Sequence, residues 1–112
     1  MPVVEVTTNL SSELIPKDFE FHLAKMIAVQ LNRPLERTLV GVRANARLAK
    51  GDKSSPCVSV KIFSIDAFED EMENKKHTNV FLDFFNKELG LADDSIFLMM
   101  QHFPRSNVGI RD

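Results

Sequence analysis

Twice along the chain, a short run of β-branched residues at period two gives way to a helical stripe and then to another such run. No other feature of the sequence limits the fold as strongly. Residues 2 to 8 form the first run, with Val4 and Val6 alternating with Val3, Glu5 and Thr7. Pro2 takes the first strand position, where a missing N–H is tolerated. A loop over 9–16 follows, and residues 17 to 32 set Phe19, Leu23, Met26, Ile27, Gln30 and Leu31 on one helical face. Asp18 suits the first turn, and Pro34 stops the helix because the residue before a proline is driven out of the α region. Thr38 to Val42 reads as the second strand, and 45–56 is turn-rich, with Gly51-Asp52 and Ser54-Ser55-Pro56. The second half repeats the order. Cys57 to Ile65 is a strand with Val58, Val60 and Ile62 on one face, and 69–89 contains a helix with an interior stripe of Phe81, Phe85 and Leu89 beside Val80 and Phe84. Ser95 to Met100 is the fourth strand, and Asn107 to Ile110 is expected to be a short terminal one.

A strand–helix–strand crossover is right-handed and makes its two strands parallel. Two such units in 112 residues predict an α/β (α+β) fold: one domain over 1–112, a two-layer sandwich with a four-stranded mixed sheet and both helices on one face. A chain of this length buries enough surface to hold a core. The other sheet face is left bare. Val3, Val58, Val60 and Phe97 are expected to supply its apolar side chains, and oligomerisation to cover them. The acidic run Glu69, Asp70, Glu71 and Glu73 ahead of Lys75, Lys76 and His77 matches the helix dipole and reads as a solvated helix start.

Several chemistries are excluded. Fourteen Lys and Arg face sixteen Asp and Glu, a net charge of −2, so no basic field exists to hold nucleic acid. The nine phenylalanines fall at core spacing without the interleaved basic residues of a base-stacking surface. A single cysteine rules out an intramolecular disulfide framework and a multi-cysteine metal site, and Cys57-Val58-Ser59-Val60 is no redox pair. His22, His77 and His102 lack metal-ligand spacing and read as surface or packing residues. There is no phosphate loop, dinucleotide fingerprint or nucleophile elbow, and no cofactor is expected. The opening Met-Pro-Val-Val-Glu-Val has no basic segment, and Glu5 interrupts any apolar stretch, so it is not a secretory signal. The longest apolar run, Ile96 to Met100, is far too short for membrane insertion.

The informative residues are the first two. Proline at position 2 normally lets the initiator methionine be removed, which leaves a secondary amine held rigidly at a strand end. An α-amino group titrates near 8, apolar surroundings lower that value, and a base poised near neutral pH suits proton transfer. With Met1 in place, the Pro2 nitrogen is a tertiary amide and cannot act as a base.

Read together, Pro2 before a strand ending Thr8-Asn9, Arg33-Pro34 after the first helix, Ser54-Ser55-Pro56-Cys57 before a strand ending Ser64-Ile65, His77, the stretch Phe84 to Leu91, and Asn107-Val108-Gly109 form an ordered pattern. In this pattern the sequence resembles the macrophage migration inhibitory factor family, which includes D-dopachrome tautomerase. The resemblance implies a homotrimer with a pocket at each subunit interface and keto–enol tautomerisation of an α-keto acid such as phenylpyruvate, or isomerisation of a dopachrome-like substrate. It implies Pro2 as the base, Arg33 as the cation gripping a substrate carboxylate, and Ser64, Ile65, Phe97, Met99, Val108 and Ile110 around the substrate. Phe97, Met99 and Ile110 replace the family's tyrosine, asparagine and tryptophan, so the pocket is expected to be more apolar. The resemblance further implies a cytokine-like protein, cytoplasmic and secreted without a signal peptide, with a cell-surface receptor as partner; the alternative is a non-catalytic receptor-binding protein with a vestigial pocket. Val60 stands at the family's second cysteine, and Ser12 and Asn45 stand at its chemokine-mimicking Arg and Asp. Asp66 to Glu73 replaces its glycine-rich loop, and the stop at Asp112 is expected to weaken the trimer.

Overall fold

Strand β1 (Pro2–Thr8) sets β-branched Val4, Val6 and Thr8 at alternate positions, and it becomes the strand on which the sheet is assembled. The computed structural model describes residues 1–111. After β1 come α1 (Phe19–Leu31), β2 (Leu39–Arg43), β3 (Val58–Ile65), α2 (Glu71–Leu89) and β4 (Ile96–Phe103), with single 3₁₀ turns at Ser12–Leu14, Leu35–Arg37, Asp93–Ser95 and Arg105–Asn107. The sheet order is β2-β1-β3-β4. β1 runs parallel to β2 and β3 parallel to β4, as the two crossovers require, and the halves join by antiparallel pairing of β1 with β3.

The register decides which face each side chain takes. Pro2 lies opposite Ser64, Val4 opposite Ile62 and Val6 opposite Val60. These residues lie on the helix side, where Phe19, Leu23 and Ile27 of α1 and Phe81 and Phe85 of α2 are fully buried against them. The Phe19 ring meets Phe84 and Phe85 at 5.6 and 6.0 Å between centroids, which fixes how the two helices dock. The expected open face needs one correction. Val58 and Val60 are fully buried under the helices, because they share parity with Ile62. Val3 and Phe97 do lie on the other face, and there they are joined by Leu39, Phe63, Met99 and Phe103.

The element ends have local causes. α1 starts at Phe19; Asp18 occupies the N-cap position, but its side chain makes no capping bond. The helix closes on Asn32 in the left-handed region (φ 53°), before Pro34 can act. Asp70 does cap α2, accepting the Glu73 N–H at 2.9 Å, and Gly90 (φ 68°) ends it. β4 continues to Phe103 rather than stopping at Met100, since Ser64 and Ile65 offer partners to His102 and Phe103. The expected strand over 107–110 does not form. Pro104 brings no N–H to a ladder, and the chain turns at Arg105–Asn107 instead. Near the far end of β1, the Thr8 hydroxyl donates to the Cys57 carbonyl (2.7 Å), while the Asn9 amide donates to Ser54 and Ser55 and accepts from the Cys57 N–H. The turn-rich loop is thereby tied to the strand, and Cys57 is a buried free thiol.

Two outcomes follow for stability. Phe81→Ala, at a fully buried ring, should cost about 3–5 kcal/mol in a urea titration; a loss below 1 kcal/mol would mean that the core does not depend on this ring. His77 Nδ1 accepts a hydrogen bond from the Gln30 amide (2.9 Å), its ring stacks on Phe81, and burial lowers its pKa against the opposing pull of Glu73. The unfolded chain then binds more protons just below the ordinary histidine value of about 6.5, so this contribution is complete above that pH and fades as pH falls below it. The denaturation midpoint of the native chain should therefore drop more between pH 7.5 and 5.5 than that of His77→Gln. Equal drops would contradict the assignment.

Candidate active site

Because β1 lies inside the sheet, its first residue is not left at a sheet edge. Pro2 is buried, paired across to Ser64, which in turn pairs with His102. Beside this strand start lies a cavity of about 320 Å³. Its walls are Met1 and Val3, then Phe63 and Ile65 of β3, Phe103 of β4, and Val108 just past the terminal turn. Phe63 and Phe103 stand 5.5 Å apart at 45° and form an aromatic wall. Buried Ser64, with Asn107 and Gly109, completes the lining. The volume matches a small organic ligand, and the mainly apolar lining suits an aromatic or aliphatic body.

Arg33 lies beside this cavity but is heavily engaged. Its Nη1 donates to the carbonyls of Leu31 (2.8 Å) and Asn32 (3.4 Å), and its Nη2 to those of Ile65 and Asp66 (both 3.0 Å). Both terminal nitrogens thus hold backbone, and Nε–H is the remaining donor. The clamp fastens the end of β3 to the end of α1. Just beyond it, Asp66 (φ 52°) and Phe68 (φ 67°) take left-handed backbone conformations that cost non-glycine residues about 1–2 kcal/mol each. Arg33 holds the Asp66 carbonyl, and the Asn74 amide holds that of Phe68 (3.0 Å). These bonds keep in place a segment that glycine would otherwise favour.

The electrostatics favour a neutral amine. The α-amino group of Met1 is pushed below its ordinary value, first by burial and then by the positive fields of Arg33, Arg37 and Arg105. The parallel register that sets Val3 against Leu39 brings Arg37 level with Met1. Arg105 reaches the same region from the turn after β4.

The structure therefore brings together Pro2, Ser64, Ile65 and Val108, with Arg33 bonded to the Ile65 carbonyl. It does not bring Phe97 and Met99 to them within one chain. They lie opposite Ser59 and Lys61, five and three residues up β4 from His102, or roughly 17 and 10 Å at strand rise. Both lie on the open face, 50% and 55% exposed. Ile110 is 46% exposed and its neighbour Gly109, not Ile110 itself, lines the cavity. Sequence reasoning missed Arg37 and Arg105. Only the strand register could have found the first, and a lone arginine between Pro104 and Ser106 carries no signal for the second. Among the described residues no group of three or more His, Cys, Asp or Glu side chains is arranged to hold a metal, and no helix is long and apolar enough to cross a membrane.

The family model described as macrophage migration inhibitory factor matches residues 1–112. The MIF-like protein mif-2 of Caenorhabditis elegans is 38% identical over 109 residues, covering 97% of this chain and 90% of the relative. D-dopachrome decarboxylase-B of Xenopus laevis is 38% identical over 98 residues, covering 88% and 83%. The structure of macrophage migration inhibitory factor from Oncomelania hupensis superposes with a TM-score of 0.91 at 25% identity, covering 98% of this chain and 78% of that one.

Replacing Arg33 by alanine should release the Asp66–Phe68 segment, raising amide hydrogen exchange there by tenfold or more while β1 stays protected. Unchanged exchange over 66–68 would show that the clamp does not hold this segment.

Proposed function

The chain belongs to the macrophage migration inhibitory factor family, and from that premise we propose that it is a tautomerase whose base is the amine of Pro2 once Met1 is removed. The observation that carries the reading is the pinning of Pro2 opposite Ser64 and between Met1 and Val3, all three of which line an apolar cavity, in a positive field that already lowers the amine next to it. A neutral secondary amine takes a proton from the carbon next to a substrate carbonyl. The C–H electron pair becomes the carbon–carbon double bond of the enol, and the carbonyl oxygen takes a proton from solvent. In reverse, protonated Pro2 returns its proton to carbon. One group with a lowered pKa serves both directions at neutral pH. The substrate is a small α-keto acid of the phenylpyruvate type or a dopachrome-like compound, with its ring against Phe63 and Phe103. The name of the Xenopus relative favours dopachrome-type chemistry, and the apolar walls favour an aromatic body.

The same reading includes a homotrimer. Leu39, Phe97 and Met99 are 65%, 50% and 55% exposed on the open sheet face, a patch that water does not favour. A second copy covering it would bring its own Phe97 and Met99 within reach of a cavity they do not touch in their own chain. A stable interface removes more than about 1,000 Å² from water. Sedimentation at micromolar concentration should give about three times 12.7 kDa; a folded monomer would remove the shared pocket. The proposal extends to a cytokine-like role outside the cell, reached without a signal peptide and exerted on a cell-surface receptor. Its basis is family membership.

A second reading is non-catalytic receptor binding. Met1 lines the cavity, and while it stays the Pro2 nitrogen is an amide. Two preparations separate the readings, one with free Pro2 and one with Met1 retained or Pro2 acetylated. The free form should tautomerise phenylpyruvate roughly 10²–10⁴ faster than the blocked form. Equal rates would remove Pro2 from the mechanism, and no activity in either would favour the binding reading.

A further inference from the structure

The cavity has an apolar body and needs a cation placed for an anionic head. Arg33 is poorly suited, because both terminal nitrogens of its guanidinium already hold backbone carbonyls on either side of the Asp66 segment. Arg37 stands level with Met1 on the far side of β1, and neither β2 nor the turn before it contributes to the cavity wall. Arg105 differs from both. It opens the turn Arg105–Asn107, and that turn leads directly into the wall formed by Asn107, Val108 and Gly109. Its guanidinium is 73% exposed, makes no hydrogen bond among the described residues, and has Asp66 as a loose ionic neighbour at 3.9 Å. Asp66 is itself held by its backbone to Arg33, so its carboxylate marks a direction from which an anion reaches Arg105, two residues ahead of the wall residue Asn107.

We propose that Arg105 is the specificity-determining residue of this site, binding the carboxylate of an aryl-substituted acid whose ring packs against the wall of Phe63 and Phe103. An incoming carboxylate displaces the loose Asp66 contact and gains the guanidinium's paired N–H donors, which match its geometry. The inference deepens the tautomerase reading and rests on it for the name of the substrate, but its test does not depend on turnover.

The probe is 3-phenylpropionate, which has no ketone to enolise, with 3-phenylpropionamide as its neutral twin. Both are titrated calorimetrically into the Pro2-terminated chain. The native chain should bind the acid more tightly than the amide. Arg105→Ala should weaken the acid about tenfold and leave the amide unchanged, and Arg105→Lys should recover part of the loss. The inference is overturned by equal affinity for acid and amide in the native chain, absence of binding included. It is also overturned by an Arg105→Ala chain that keeps the acid preference, or by loss of that preference in Arg37→Ala alone. Binding as expected without tautomerase turnover would fault the catalytic reading and leave Arg105's role standing.

Discussion

The antiparallel ladder between β1 and β3 is the constraint on which the site depends. It joins the two β-α-β halves, and it puts the first strand of the chain inside the sheet rather than at an edge. A chain terminus usually frays, but here Pro2 is buried, with Ser64 opposite. The pairing of Val4 with Ile62 and Val6 with Val60 sets that register through core packing. A slip of one residue would turn all of these valines to solvent, so the hydrophobic core that stabilises the fold also fixes the position of the amine.

The environment of the strand start is electrostatic as much as apolar. Burial and three guanidinium groups, delivered by the α1–β2 connection and by the turn after β4, disfavour a further positive charge at the strand start. Arg33 also works mechanically, holding Asp66 in a left-handed conformation that its Cβ resists. The segment after β3 holds Asp66 and Phe68 in left-handed conformations, and that strain is offset by bonds from Arg33 and Asn74.

The element order and both helix faces were legible in the sequence, because period two and period 3.6 leave distinct marks and Phe19, Leu23, Ile27, Phe81 and Phe85 all proved buried. The faces of the third strand were legible only in part. Val58 and Val60 are apolar enough for either side, and their parity with Ile62 settles the matter only when the helix side is known. The extension of β4 to Phe103 and the loss of a strand at 107–110 depend on what Ile65 can pair with and on Pro104, and neither shows in local pattern. Of the residues the resemblance pointed to, Ser64, Ile65 and Val108 line one cavity and Pro2 pairs with Ser64. Phe97 and Met99 belong to a surface that one chain leaves open. The engagement of Arg33 and the availability of Arg105 are products of tertiary contacts that no spacing rule encodes.

The proposed function turns on the protonation of one amine. The direct measurement is an NMR titration of the chain beginning at Pro2, labelled with ¹⁵N-proline, following the nitrogen shift of that residue from pH 4 to 10. A midpoint clearly below the roughly 8 of an ordinary α-amino group, moving upward when Arg33 is replaced by alanine, is the predicted result. A midpoint at or above 8, unmoved by that substitution, would contradict it.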